Sequence, residues 1–342
     1  VVLQADGPAT SLGLLAVALG AVALTLRSRR WSSGAAALAG AALAVGFLTK
    51  LLDVAVVPPL LCVLVVDGAW RRLLPAAVAG GIAAAAAILL PLHDAWRALW
   101  SQAVGLHLDT QSATSGISLG AALGIRWHLA ALAAVGAVIG WRRHPRLVAT
   151  GVLWFVGAVA AMAITHPLWP HHAVSTSPAY ALLCAAGVSA GFAWLRRSVP
   201  RAFPAAAAVV TAGLSVAAAL FLWSGLRGLQ PATDFTALAT ALRAHTSAST
   251  LVVGDDQFAQ ALAGRAAPPQ YVDTSNTRMY AEPGALQGLE DITTGRAPVC
   301  AVLFSSGRLV HLPGFPAWVS ARYPVQVSLG ASRSLFIAPG CA

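Results

Sequence analysis

The sequence predicts an α-helical polytopic membrane domain of about eight spans, residues 1–229, followed by a small soluble α/β domain, residues 230–342. Three observations predict it. Of 342 residues, 58% are hydrophobic and only 10% charged, far from the balance of a water-soluble protein. Long apolar runs alternate with short arginine clusters. After residue 229 the runs stop, and seven acidic residues and seven arginines break up short strand-like and helix-like segments.

The formal charge of +10 invites a nucleic-acid reading, but the placement of the basic residues excludes it. Of 14 Lys and Arg before residue 226, 11 fall in four clusters: Arg27/Arg29/Arg30, Arg71/Arg72, Arg142/Arg143/Arg146 and Arg196/Arg197/Arg201. Cationic turns resist translocation, so these clusters mark cytoplasmic loops. Asp6, Asp53, Asp94 and Asp109 fall in the intervening segments and are expected on the other side. This predicts a multi-pass protein of the inner or plasma membrane.

Each span follows from its apolar run. Ala9 to Leu26 is the first and ends on the arginine cluster. Gly34 to Val66 holds 33 residues interrupted by Lys50 and Asp53. Parity favours two short spans there, because a single one would put Arg71 and Arg72 outside. Each has about 16 residues, or about 24 Å of helix, which places Lys50 and Asp53 near a thinned outer interface. Leu74 to Leu92 crosses outward, and Trp96, Leu99, Trp100, Ala103 and Val104 recur at helical spacing as in a helix lying on the membrane. Ser118–Gly140, Leu147–Thr165, Ala173–Leu195 and Phe203–Leu226 complete the set and leave the C-terminus exported. No signal peptide is visible, and the chain opens on Val1 at the edge of a span, which reads as a fragment whose beginning is missing.

In the exported part, Leu251–Val253, Val299–Phe304 and Leu335–Ile337 read as strands, and Phe235–Ala244 and Phe315–Arg322 as helices. Cys62 and Cys184 sit in apolar runs as small buried hydrophobes, whereas Cys300 and Cys341 lie where a disulfide can form; the sequence leaves that pairing open.

Chemistry-bearing residues gather at the predicted outer face. Lys50 is the only lysine, and an ionisable group at a span's end is either a point charge for a phosphate or an interfacial lysine partnered by Asp53. Asp6 is an N-cap, or a carboxylate that binds a metal or takes a proton from a hydroxyl. Arg126 is a second phosphate partner or an arginine reaching out from a span's end. His166, His171 and His172 can contact substrate or pack at the interface; without a cysteine their spacing fits no closed zinc pattern, so no metal site is assigned. Asp255 and Asp256 follow a strand and serve either a cation or a helix cap.

These segments together resemble the lipid-dependent glycosyltransferases of the GT-C superfamily, close to family 39 and to the dolichyl-phosphate-mannose and aminoarabinose transferases. The resemblance is carried by Asp6-Gly7-Pro8-Ala9, by LAGAALAVGFLTK ending on Lys50, by PHHAVSTSPAYALLCAAG, and by a tail with GDDQFAQALAGRAAPPQYVDTSNTR followed by LVHLPGFPAWVSARYP. It implies transfer of a sugar from a polyprenyl-phosphate donor to a glycan, lipid or protein acceptor at the outer face, by an inverting and often metal-assisted displacement. It maps Lys50 onto the donor phosphate and Asp6 onto the acid at the start of an outer-loop span; from their own placement in the sequence, Asp53, Arg126, His171 and His172 are expected as substrate contacts. A divalent metal ion is the one cofactor it admits, and no ligand set for one is evident in the sequence. It also implies that the family's principal catalytic acid lies upstream of Val1. The alternative class is a non-catalytic scaffold or transporter-like protein with an export-side binding domain; a transporter is expected to carry inverted repeats, which the sequence does not display.

Overall fold

A computed structural model describes residues 6–65, 68–100, 116–165, 168–201, 203–227, 232–272, 274–275, 279, 284–294, 299–329 and 333–339. The chain is predominantly helical, with one small mixed sheet, and it divides into two compact units. The first comprises residues 2–101 and 116–226, and the second includes residues 227–342.

In the first unit, α1 (Asp6–Thr25) and α2 (Arg29–Thr49) are joined by a turn carrying the first arginines. The chain then makes a 3-10 turn, Leu51–Val56, and restarts as α3 (Val57–Leu64), with proline in its first turn where the missing N–H costs nothing. Helix α4 (Trp70–Leu89) follows, and α5 (Trp96–Trp100) is the described part of the expected surface helix; its residues 101–115 lie outside the described residues. The run expected to cross as Ser118–Gly140 is broken into α6 (Leu119–Gly124) and α7 (Trp127–Gly140), because Arg126 leaves helical geometry (φ −125°, ψ 30°). Helix α8 (Pro145–Ile164), which opens on proline, leads to another 3-10 turn, Pro170–Thr176, and to α9 (Ser177–Ser198), again with proline in its first turn; α10 (Phe203–Arg227) follows.

Among the described residues, five helical segments are long and apolar enough to cross a membrane: Gly7–Thr25, Arg29–Thr49, Trp70–Asp94, Pro145–Ile164 and Pro170–Ser198. Leu51–Leu64, Trp127–Gly140 and Phe203–Gly213 are apolar but shorter. Large apolar side chains such as Val138, Ile82 and Val209 point outward, as a lipid-facing surface requires. Trp31, Trp70, Trp141 and Trp194 are exposed beside the arginine clusters, and Trp96 and Trp127 are exposed near the opposite helix ends. Tryptophans at both ends of apolar helices match the aromatic belts of membrane–water interfaces.

Without a hydrophobic force between helices in lipid, close backbone approach holds such a unit together. Helices α2 and α4 touch through glycine: a Cβ on Gly40 would stand 1.8 Å from the Ala77 carbonyl oxygen, and one on Gly80 2.0 Å from that of Ala37. Helices α7 and α9 repeat the device, with a Cβ on Gly136 falling 2.4 Å from the Leu183 carbonyl oxygen. At the arginine-bearing end, buried Ser32 donates to the Ala23 carbonyl (2.6 Å) and receives Arg72 (3.2 Å), which ties α1, α2 and α4 together.

The second unit is built on a four-stranded sheet of order β1-β2-β4-β3: β1 (Leu251–Gly254), β2 (Val299–Phe304), β3 (Val325–Ser328) and β4 (Ser334–Ile337). Strands β1 and β2 are parallel, and the other two pairs antiparallel. Every residue of β2 is buried, so it reads as a continuous apolar run. Leu238 and Leu242 of α11 (Ala232–His245) and Ala259 of α12 (Gln257–Ala263) belong to one apolar cluster with Val252, Leu303 and Leu335. Leu289 of α13 (Ala285–Thr294) and Phe315 and Val319 of α14 (Phe315–Arg322) belong to another with Val253, Val302 and Phe336. Cys300 is disulfide-bonded, and Cys341 lies outside the described residues.

Candidate functional site

Two irregular turns create the site. Lys50 ends α2 in an extended conformation, and the Asp53 amide donates to the Lys50 carbonyl (3.0 Å), so Lys50 and Asp53 are set on one tight turn. The second turn, Pro170–Thr176, is anchored by Trp154 of α8, whose Nε1 donates to the Ser175 carbonyl at 3.1 Å. Lys50, Asp53, Trp154 and Ser175, with Ala9 and Thr10 of α1, line one small open cleft.

Asp53 is 6% exposed. A Cβ on Gly46 would stand 2.1 Å from its Oδ2, and one on Gly13 2.9 Å from its Oδ1, so the carboxylate occupies a notch between α1 and α2 that only glycines leave open. Oδ2 is buried and has no hydrogen-bond partner. The expected alternative, an interfacial lysine neutralised by Asp53, therefore leaves this oxygen unaccounted for.

The remaining sequence-predicted residues fall as follows. Asp6 opens α1, and its side chain lies outside the described residues. Arg126, at the break between α6 and α7, donates through Nη1 to Ser177 Oγ at the start of α9. His172 is buried; its Nδ1 accepts the Trp169 amide at 3.3 Å, and its ring meets His171 edge-on at 4.5 Å. These contacts hold the pair within its turn. Among the described residues no group of three His, Cys, Asp or Glu side chains gathers as a metal site would require, and His166 lies outside them. Asp94 is solvent-exposed beside His93 at 3.1 Å, and Asp109 lies outside the described residues.

In the second unit the two aspartates after β1 divide their tasks. Asp256 caps α12, accepting the Ala259 amide at 3.0 Å. Asp255 is fully buried: Oδ1 accepts the Ser305 amide (2.7 Å), the Ser305 hydroxyl (3.1 Å) and the Ser306 amide (3.0 Å), and Oδ2 the Leu309 amide (3.2 Å). It fastens the loop after β2 rather than holding a cation.

Sequence reasoning missed Gly13, Gly46, Trp154 and Ser175. Two glycines in spans rich in Gly and Ala carry no distinguishing signal of their own, although Gly46, in the stretch ending on Lys50, and Ser175, in the stretch with His171 and His172, stood in segments already marked out. No protein-family model, no curated protein and no solved structure matches this chain.

Proposed function

We propose that this chain transfers a sugar from a polyprenyl-phosphate donor to a glycan, lipid or protein acceptor at the extracytoplasmic face of the membrane. The observation that carries the reading is the shared cleft: the chain's only lysine and a buried aspartate sit on one turn, at the far end of α2 from Arg29 and Arg30. At about 1.5 Å per residue that distance is about 30 Å, the thickness of a bilayer's hydrocarbon core. The reading takes the arginine turns as cytoplasmic and counts the three shorter apolar helices with the five long ones as eight passes, which leaves the cleft and the C-terminal unit outside.

In the reaction the acceptor oxygen bonds to the sugar's C1 as the C1–O bond to phosphate breaks, its electron pair leaving on the phosphate. The Lys50 ammonium stabilises that leaving charge, and the proton from the acceptor hydroxyl passes to a carboxylate, for which Asp6 is the candidate. Asp53, Arg126, His171 and His172 serve as substrate contacts, and a divalent ion is the cofactor such a displacement can use.

The test compares sugar incorporation into envelope polymer or protein with and without the gene, and with Lys50→Ala. Loss of one preorganised charge at a leaving group lowers turnover about 100-fold or more. Unchanged incorporation without the gene removes the transferase reading, and unchanged incorporation with Lys50→Ala removes the phosphate role. One observation favours a transporter instead: two helical paths break into 3-10 turns that come together, as discontinuous helices do at transport sites. Substrate uptake into vesicles without any product of sugar transfer would support that second class.

A further inference from the structure

We propose that Asp53 reads the sugar of the lipid-linked donor while Lys50 holds its phosphate, an assignment that rests on the transferase reading above. Asp53 is more than nine-tenths buried, lines the cleft, and carries a buried oxygen with no hydrogen-bond partner. A buried carboxylate oxygen left without a donor is costly, and such a group persists where a ligand supplies the missing partner.

The protein's own neighbours do not supply it. Gly46 and Gly13 face the two oxygens and bring no side-chain donor. Nor does the fold of the turn require the carboxylate, since the backbone bond from Asp53 to Lys50 already closes it. The missing donor therefore belongs to whatever enters the cleft.

Charge fixes which part of the ligand that is. A phosphate beside a carboxylate meets like-charge repulsion, so the anion goes to Lys50 and the group presented to Asp53 is uncharged and rich in O–H donors. A carboxyl oxygen left without a donor can accept one from a hydroxyl. A sugar joined directly to phosphate carries both parts within a single head group. Gly46 and Gly13 become positioning residues that keep the space the carboxylate needs.

The experiment measures binding of two probes, polyprenyl phosphate and polyprenyl-phosphate hexose, to the full chain in lipid nanodiscs. The native protein binds the sugar-bearing lipid more tightly. Asp53→Asn, which preserves volume, lowers that preference about tenfold or more and does not weaken binding of the bare lipid phosphate, since it also removes a like charge. Lys50→Met weakens both probes alike. Gly46→Ala, which displaces the carboxylate without deleting it, moves the preference in the same direction as Asp53→Asn and serves as the second variant should the first fail to fold. If the native protein binds neither probe, the lipid-phosphate reading fails and takes this one with it. If it binds both equally, or if the displaced and neutralised variants keep the preference, the assignment of Asp53 alone is overturned.

Discussion

The Asp53 carboxylate fills the space that a side chain on Gly46 would need: a Cβ there would stand 2.1 Å from Oδ2, closer than any non-bonded pair tolerates. The two residues are therefore coupled. Gly46→Ala is expected to destabilise the membrane unit by about 1–3 kcal/mol through overpacking. In an Asp53→Ala background that cost should shrink, with a coupling energy of about 0.5–3 kcal/mol in a double-mutant cycle. Denaturant titration of the purified protein measures it, and strictly additive costs would contradict the contact.

The packing of α2 on α4 makes a sharper contrast within one helix. At Gly40 the atoms a Cβ would meet are backbone atoms of Ala77, which cannot swing aside, whereas at Gly34 a Cβ would meet nothing within 4 Å. Gly40→Ala should destabilise by about 1–3 kcal/mol, and Gly34→Ala should be neutral or stabilising by up to about 1 kcal/mol. Equal unfolding midpoints for the two variants would show that α2 and α4 do not approach through this face.

Asp255 is the fastening of the C-terminal unit. Its carboxylate satisfies three backbone amides and a hydroxyl just after β2, and its removal unties that loop and leaves the amide of buried Leu309 unpaired. Asp255→Ala should cost about 3 kcal/mol or more. Limited proteolysis of the full chain should then cut within 305–314 at protease levels that leave the native protein intact; an unchanged cleavage pattern would count against the fastening role.

Tyr323 sets an alkaline limit on the same unit. Its hydroxyl donates to the Thr293 carbonyl (3.2 Å) and the Val299 carbonyl (3.1 Å). Burial pushes its pKa from 10.0 up to about 12, opposed in smaller part by the Thr293 side chain and the Arg322 charge. Because the folded value lies above the unfolded one, the neutral phenol contributes stability that is fully present below about pH 10 and lost as pH rises through about 12. Tyrosinate absorbance should show one phenol titrating late, and Tyr323→Phe should remove it; a full complement titrating near the ordinary value would sink the prediction.

Much of this architecture was legible in the sequence because apolar length and charge punctuation are local properties. The runs at Ala9–Leu26, Leu74–Leu92 and Leu147–Thr165 became helices within a few residues of the expected bounds, and the three apolar strand runs became β1, β2 and β4. Strand β3 was missed although Val325 and Val327 alternate with Gln326 and Ser328: four residues are too short a run to stand out, and pairing with β4 makes it a strand. The break at Arg126 was missed as well, since the flanking Leu, Ala and Gly residues are as apolar as those of an unbroken span.

The sequence by itself determined that this chain has membrane-compatible helices, where its arginine turns fall, and that its only lysine lies beside an aspartate at a helix end. Only the tertiary structure decided that the turn of Lys50 and Asp53 meets Trp154 and Ser175 across one cleft, and that Gly13 and Gly46 make room for a carboxylate with an unpaired oxygen. The reason is physical. A helix forms from the pattern of its own residues, whereas a notch or a cleft exists only where segments a hundred residues apart come to share a few ångströms of space.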